Sequence, residues 1–232
     1  MRARTLAIAI GASALVVATL AGALVLVATG RRLPAFPSAP GADGGYAGGK
    51  TVPYQLTAQA MLGPVRLTYP AAMARAGDGR KGGALDTLDL MATLPDFRAP
   101  VAPRPGLLQP ALIFIALRPQ EATLDPAERP VQLYAPFLSP EIRSEAGGLQ
   151  MRRFGPGSPY GRENLYIVPP EGRAFSARCS RPADPPDGLP ETCISDMRLK
   201  GLDVQVRFSP AQLPEWESIQ AGVARLVEEM AK

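Results

Sequence analysis

The sequence predicts an α+β protein, a mostly antiparallel β-sheet domain with a C-terminal amphipathic helix packed on it, preceded by one N-terminal transmembrane helix. Three observations predict it. Thr5–Thr29 carries no charge, and Leu202–Phe208 alternates apolar and polar residues without a break. Leu213, Trp216, Ile219, Val223, Leu226, Val227 and Met230 recur at spacings of three and four. The first has the length that a bilayer requires, the second the period of a half-buried strand, and the third that of a helix with one apolar stripe.

The uncharged run is TLAIAIGASALVVATLAGALVLVAT. At about 1.5 Å per residue it reaches roughly 37 Å, enough to cross a hydrocarbon core of about 30 Å with some tilt. A cleaved signal peptide has an apolar region of about 7–15 residues and then a small-residue cleavage site. Ala21-Gly22-Ala23 has the small residues, but Leu24-Val25-Leu26-Val27 prolongs the apolar run past them, and an uncleaved anchor is expected. Arg2, Arg4 and the terminal amine stand against Arg31 and Arg32, which leaves the N-terminus cytoplasmic by the positive-inside rule. The expected layout is residues 1–4 in the cytoplasm, 5–29 in the inner membrane of a bacterium, a Pro/Gly-rich flexible linker over 30–52, and a periplasmic domain over 53–232.

The chain has 26 Pro and 23 Gly, spread along its 232 residues. Proline breaks helix interiors, so the domain reads as short strands joined by many turns. Strands are predicted at Tyr54–Ala58, Val65–Tyr69, Leu85–Met91, Ala111–Leu117, Val131–Tyr134, Leu149–Phe154, Asn164–Val168, Ala174–Arg178, Ile194–Leu199 and Leu202–Phe208. Leu112–Leu117 is apolar at every position and reads as a central strand covered on both faces. Lys200-Gly201 reads as a two-residue hairpin loop, which sets Leu199 opposite Leu202, Arg198 opposite Asp203 and Met197 opposite Val204. That register puts the apolar set of both strands on one face, under the terminal helix, and an opposite-charge pair on the other.

Cys179 and Cys193 are the only cysteines. They are expected to form one intramolecular disulfide across the proline-rich stretch between them, on the oxidising side of the membrane. There is no histidine, which removes Ser-His and Cys-His nucleophilic pairs and the commonest transition-metal ligand. Without Arg2 and Arg4 beside the anchor, the 25 basic residues fall to 23, against 21 acidic ones. No basic stripe of the kind a nucleic-acid binder carries is visible, and no nucleic-acid partner is expected.

Gly77-Asp78-Gly79-Arg80-Lys81-Gly82 matches the spacing of a dinucleotide fingerprint. That fingerprint needs a buried strand before it and a helix after it. A strand pattern follows instead, so the residues read as a hairpin loop and no cofactor is expected. Gly155–Gly161 lacks the glycine spacing of a nucleophile elbow and has no histidine to serve it. It reads as a surface loop whose Tyr160, Arg162 and Glu163 are candidates for contact with a partner. Asp86, Asp89, Asp96, Glu163, Asp196 and Asp203 are the carboxylates that could supply an acid–base pair, if the fold brings two of them together.

Leu94-Pro95-Asp96-Phe97, Ala177-Arg178-Cys179, Cys193, Leu202, Val204, Phe208 and Leu213-Pro214-Glu215-Trp216, behind an N-terminal anchor, resemble an uncharacterised family of single-pass envelope proteins of alphaproteobacteria. The resemblance runs from about Leu62 onward. It implies a membrane-anchored periplasmic domain and transfers no catalytic, cofactor-binding or metal-ligating residue. Two functions stay open. One is a non-enzymatic module that touches the lipid bilayer through its anchor and assists or contacts an envelope complex or a secreted protein. The other is a periplasmic hydrolase using paired carboxylates.

Overall fold

A computed structural model describes residues 57–75, 77–102, 106, 108–182 and 188–232. The expected anchor, the linker and Tyr54–Leu56 of the first predicted strand lie outside the described residues. Among the described residues no helix is long and apolar enough to cross a membrane.

The strands are β1 (Thr57–Leu62), β2 (Val65–Pro70), β3 (Gly83–Ala84), β4 (Leu88–Thr93), β5 (Leu112–Pro119), β6 (Arg143–Ser144), β7 (Gln150–Arg153), β8 (Glu163–Ile167), β9 (Ser176–Ser180), β10 (Cys193–Leu199) and β11 (Leu202–Phe208). Eight of them form one sheet in the order β4-β5-β11-β10-β9-β8-β7-β6. Every pairing in it is antiparallel. A smaller sheet, β2-β1-β3, pairs β1 with β2 antiparallel and with β3 parallel. The helices are α1 (Gly77–Lys81) and α2 (Trp216–Met230).

The hairpin at Lys200-Gly201 organises the large sheet. Lys200 has φ 53° and Gly201 φ 78°, and two successive left-handed residues define the tight turn whose twist matches that of the flanking strands. The register is Leu199 with Leu202, Arg198 with Asp203 and Met197 with Val204, as the loop length predicts. Leu202, Val204, Val206 and Phe208 are buried on one face together with Cys193 and Ser195. On the other face the Arg198 Nε donates to Asp203 Oδ1 at 2.7 Å.

Helix α2 covers the apolar face with Ile219, Val223, Val227 and Met230. Side chains of that size contribute roughly 1.5–3 kcal/mol each when fully buried. Trp216 opens the helix. Its ring packs against Phe175 at 4.9 Å, and its Nε1 donates to the carbonyl of Gly147. Gly222 lets the helix pass over Phe97: a Cβ there would lie 2.0 Å from the Phe97 ring. Phe97 itself holds φ 54°, an unfavourable value for an aromatic residue, in order to reach this place. Cys179 and Cys193 are directly paired across β9 and β10, both buried, and joined by a disulfide.

Three expectations are corrected. Val131–Tyr134 is no strand: Pro130–Tyr134 is a π-helical turn flanked by 3-10 turns at Pro126–Glu128 and Ala135–Phe137. Pro126, Pro130 and Pro136 bring no N–H to a ladder, and the Asp125 carboxylate accepts from the Ala127 N–H to start the turns. Gly77–Lys81 is the short helix α1 rather than a hairpin loop. The Tyr69 hydroxyl donates to the Gly79 carbonyl from outside the segment, and the segment's own Arg80 Nε reaches back to the Ala74 carbonyl, contacts that local spacing does not reveal. Finally, β5 is one strand in from the β4 edge of the sheet and is buried on one face only. Ile113, Ile115 and Leu117 are buried, whereas Phe114 and Ala116 lie half-exposed on the opposite side.

Two stability predictions result. Replacing both cysteines by serine removes a closure of about 15 residues, worth about 3 kcal/mol on the chain-entropy account. Urea unfolding of the full chain in detergent should show that loss, and the denatured, unreduced wild type should offer no thiol to a labelling reagent. Gly222→Ala should destabilise by about 1–3 kcal/mol, the usual range for overpacking. Most of that loss should return in a Gly222→Ala/Phe97→Leu double variant.

Candidate functional site

The sheet face turned away from α2 carries the polar chemistry. Cross-strand pairing arranges it in rows. One row runs Met91, Phe114, Arg207, Ile194, Arg178, Leu165, Arg152 from β4 to β7. A second runs Asp89, Ala116, Gln205, Asp196, and a third Arg118, Asp203, Arg198. Strand alternation makes these side chains share one surface.

The half of this face at β8 and β9 is covered. The segment 125–138 lies over it, and Tyr134, Phe154, Leu165 and Ile167 form a second apolar core, with Leu138 and Tyr160 packed against it. Tyr134 meets Phe154 and Tyr160 edge-on, with ring centroids 5.7 and 5.2 Å apart. The Arg178 guanidinium lies 4.7 Å over the Tyr160 ring and donates to Glu163 at 2.6 Å. Burial pushes the Tyr134 hydroxyl pKa up, and the nearby Arg178 and Arg129 only partly offset this. For Arg178, burial opposes the charge, but Tyr134 and Glu163 outweigh it and hold the pKa above its ordinary value.

Of the loop residues singled out from the sequence, Tyr160 and Glu163 therefore point into the domain, where they hold Arg178. Arg162 is exposed. Among the six candidate carboxylates, Asp196 and Asp203 are brought into one cleft of about 220 Å³ with Glu121 and Arg129. Both are already engaged. Asp196 accepts from Arg129 at 2.8 Å and from Gln205 at 3.1 Å, and Asp203 accepts from Arg198 at 2.7 Å and from the Glu121 N–H at 3.0 Å. Arg198 also donates to the carbonyls of Glu121 and Thr123, tying the loop after β5 down onto the face. Groups occupied in this way are a clamp rather than an acid–base pair. Asp86 and Asp96 are exposed and lie in other loops.

The half of the face at β4, β5 and β11 is open. A cleft of about 230 Å³ there is lined by Arg75, Asp89, Phe114, Ala116, Arg118, Gln205 and Arg207, together with Leu90 and Ile115. The Arg75 guanidinium lies 4.8 Å over the Phe114 ring. Arg118 donates to the Thr87 hydroxyl at 3.3 Å, and Arg207 donates twice to Gln205 Oε1, at 3.1 and 2.9 Å. Sequence reasoning missed this site, since it read Leu112–Leu117 as doubly buried. The available signals were the arginines that follow apolar positions, Arg118 and Arg207.

The sheet and its C-terminal helix define a fold that has a counterpart among solved structures. It is similar to that of an immunity protein of the Stenotrophomonas maltophilia type IV secretion system, with a TM-score of 0.51 and 14% identity over 74% of this chain and 92% of that one. The iron-regulated outer membrane lipoprotein FrpD of Neisseria meningitidis aligns over 77% of this chain and 93% of its own, with a TM-score of 0.45 and 12% identity. The sequence matches no protein-family model and no curated protein. At these identities the first likeness shows a common fold alone.

The raised pKa of Tyr134 gives an alkaline prediction. A phenol that ionises later when folded leaves the unfolded chain with fewer protons above about pH 10, so stability falls as pH rises through that range and is unaffected below it. Tyr134→Phe should make the decline above about pH 10 shallower in urea unfolding, at little cost near neutrality. An unchanged slope would count against a buried neutral phenol at this place.

Proposed function

We propose that this chain is a non-enzymatic interaction module, held at the bacterial inner membrane by its N-terminal helix, whose periplasmic domain contacts an envelope complex or a secreted protein. The observation that carries the reading is the open half of the sheet, a cleft around Phe114 lined by Arg75, Arg118 and Arg207, next to a half whose carboxylates are already paired. Rigid strands with a free polar face suit recognition. The two carboxylates that share a cleft on this face, Asp196 and Asp203, are already engaged by Arg129, Gln205 and Arg198. The Cys179–Cys193 disulfide supports an oxidising compartment. The fold of a secretion-system immunity protein supports a partner that is secreted or sits in the envelope, and the resemblance to the single-pass proteins of alphaproteobacteria supports the anchored arrangement.

Topology is the test. A reporter active only in the periplasm, fused after Lys232, should be functional, and the mature protein should retain its N-terminus through Thr29. Activity only of a cytoplasmic reporter, or a mature N-terminus near Leu24, would overturn the arrangement.

A further inference from the structure

The face opposite α2 divides its charges unequally. Its carboxylates Glu163, Asp196 and Asp203 are saturated by Arg178, Arg129 and Arg198. Arg75, Arg118 and Arg207 are left with neutral partners: a ring, a hydroxyl and an amide oxygen. Asp203, directly opposite Arg118, has both oxygens taken, by Arg198 and by the Glu121 N–H. Gln205, next to Arg207, is itself tied through its NH₂ to Asp196. Arginines without a carboxylate are common on protein surfaces. Here three converge on one cleft around a half-exposed Phe114, with Asp89 as the sole acidic residue lining it.

We infer that this cleft docks an extended acidic segment of a protein partner, its carboxylates seated on Arg75, Arg118 and Arg207 and its backbone passing over Phe114 and Ala116. The inference rests on the reading of the chain as an interaction module and gives that module its site. Charge complementarity selects the sign of the occupant, and spacing selects its shape. Arg207 stands directly beside Phe114 on the next strand, about 5 Å away, and Arg75 covers the Phe114 ring. Arg118 is four residues along β5 from Phe114, roughly 13 Å at strand rise. One phosphate or one carboxylate cannot reach both ends. Acidic side chains at alternate positions of an extended chain project from one face about 7 Å apart, and a pair four residues apart matches the distance. Guanidinium groups paired with carboxylates by two parallel bonds are the strong form of such contacts, and Phe114 and Ala116 give the intervening chain a surface from which to exclude water.

The probe is a labelled peptide of about ten residues alternating glutamate and threonine, added to the full chain in detergent micelles and followed by anisotropy. Binding is expected at low ionic strength and should weaken steeply between about 50 and 500 mM salt. The triple variant Arg75→Gln/Arg118→Gln/Arg207→Gln should lose it by at least about tenfold while keeping the wild-type Trp216 emission and unfolding midpoint. Arg153→Gln, exposed on the other side of the sheet, should bind as the wild type does. If the triple variant misfolds, the single variant Arg207→Glu carries the test, with the same direction expected. Equal binding by the variants and the wild type overturns the site. So does a glutamine–threonine peptide, an oligonucleotide of similar length or inorganic phosphate that matches or displaces the acidic peptide at equal concentration. Photocrosslinking from Ala116 in intact membranes separates the site from the reading beneath it. A protein trapped from other surfaces but not from Ala116 overturns the site alone, whereas peptide binding with no protein trapped from any surface overturns the interaction module.

Discussion

The two left-handed residues at Lys200-Gly201 decide which side of the sheet every neighbouring residue faces. A strand has a period of two, so a slip of one position between β10 and β11 would turn Leu202, Val204, Val206 and Phe208 into solvent and bring Asp203, Gln205 and Arg207 under helix α2. The cost would be several buried side chains and several unpaired charges together. The register then passes outward through the pairings. β11 sets β5, because Arg207 meets Phe114 and Asp203 meets Arg118, and β10 sets β9 through Cys193 and Cys179. The disulfide lies where β9 and β10 are paired, over two positions only, so it clamps a short ladder at the junction of the two halves of the sheet.

The apolar face shares its core with helix α2 and with the small sheet, whose Ala58, Ala60, Leu62, Leu67 and Tyr69 are buried there, and the fit of the helix depends on close contacts. Helix α2 carries its glycine at the point where Phe97 rises from the turn after β4, and the Phe97 backbone takes an uncommon φ to put the ring there. Trp216 meets Phe175 just ahead of β9. Leu94, Phe97, Cys179, Cys193, Leu213 and Trp216 all belong to the core that this helix shares. Chemistry in this domain lies on the opposite face.

Legibility followed the strength of the local pattern. Leu202–Phe208 is a strand with the bounds its alternation predicts, Ile219, Val223, Val227 and Met230 of the stripe are the buried side of α2, and the turn chemistry of Lys200-Gly201 supplied the register. Each of these elements has its signal in its own residues. The misreadings came where distant residues decide. Val131 and Leu133 look like strand positions, yet they are 37% and 39% exposed, because the prolines around them stop a ladder and Tyr134 is the residue that the second core takes in. Gly77–Lys81 coils where Tyr69 holds Gly79 and Arg80 ties the segment back to Ala74. Phe114 looked like core because an apolar run does not reveal that a guanidinium, here Arg75, can stand in for a second layer of protein. The open cleft went unread for that reason, and Arg178, Asp196 and Asp203 could not be assigned their pairs from composition.

The division of charge on the polar face has a structural cause. Where the segment 125–138 covers the sheet, charges lose water, and a buried charge left unpaired is far more costly than one in solvent. Glu163 and Arg178, Arg129 and Asp196, Arg198 and Asp203 therefore pair where that segment and the loop leading to it approach, and their side chains are only 16–26% exposed. Beyond that cover water supplies the solvation, and nothing forces a partner on Arg75, Arg118 or Arg207. Arg129 of the arm and Arg178 and Arg198 of the strands take up the carboxylates near the cover, and the open half keeps a positive excess around an aromatic ring. A surface in that state gains by meeting carboxylates brought by another chain, because the arginines have no internal partner to give up.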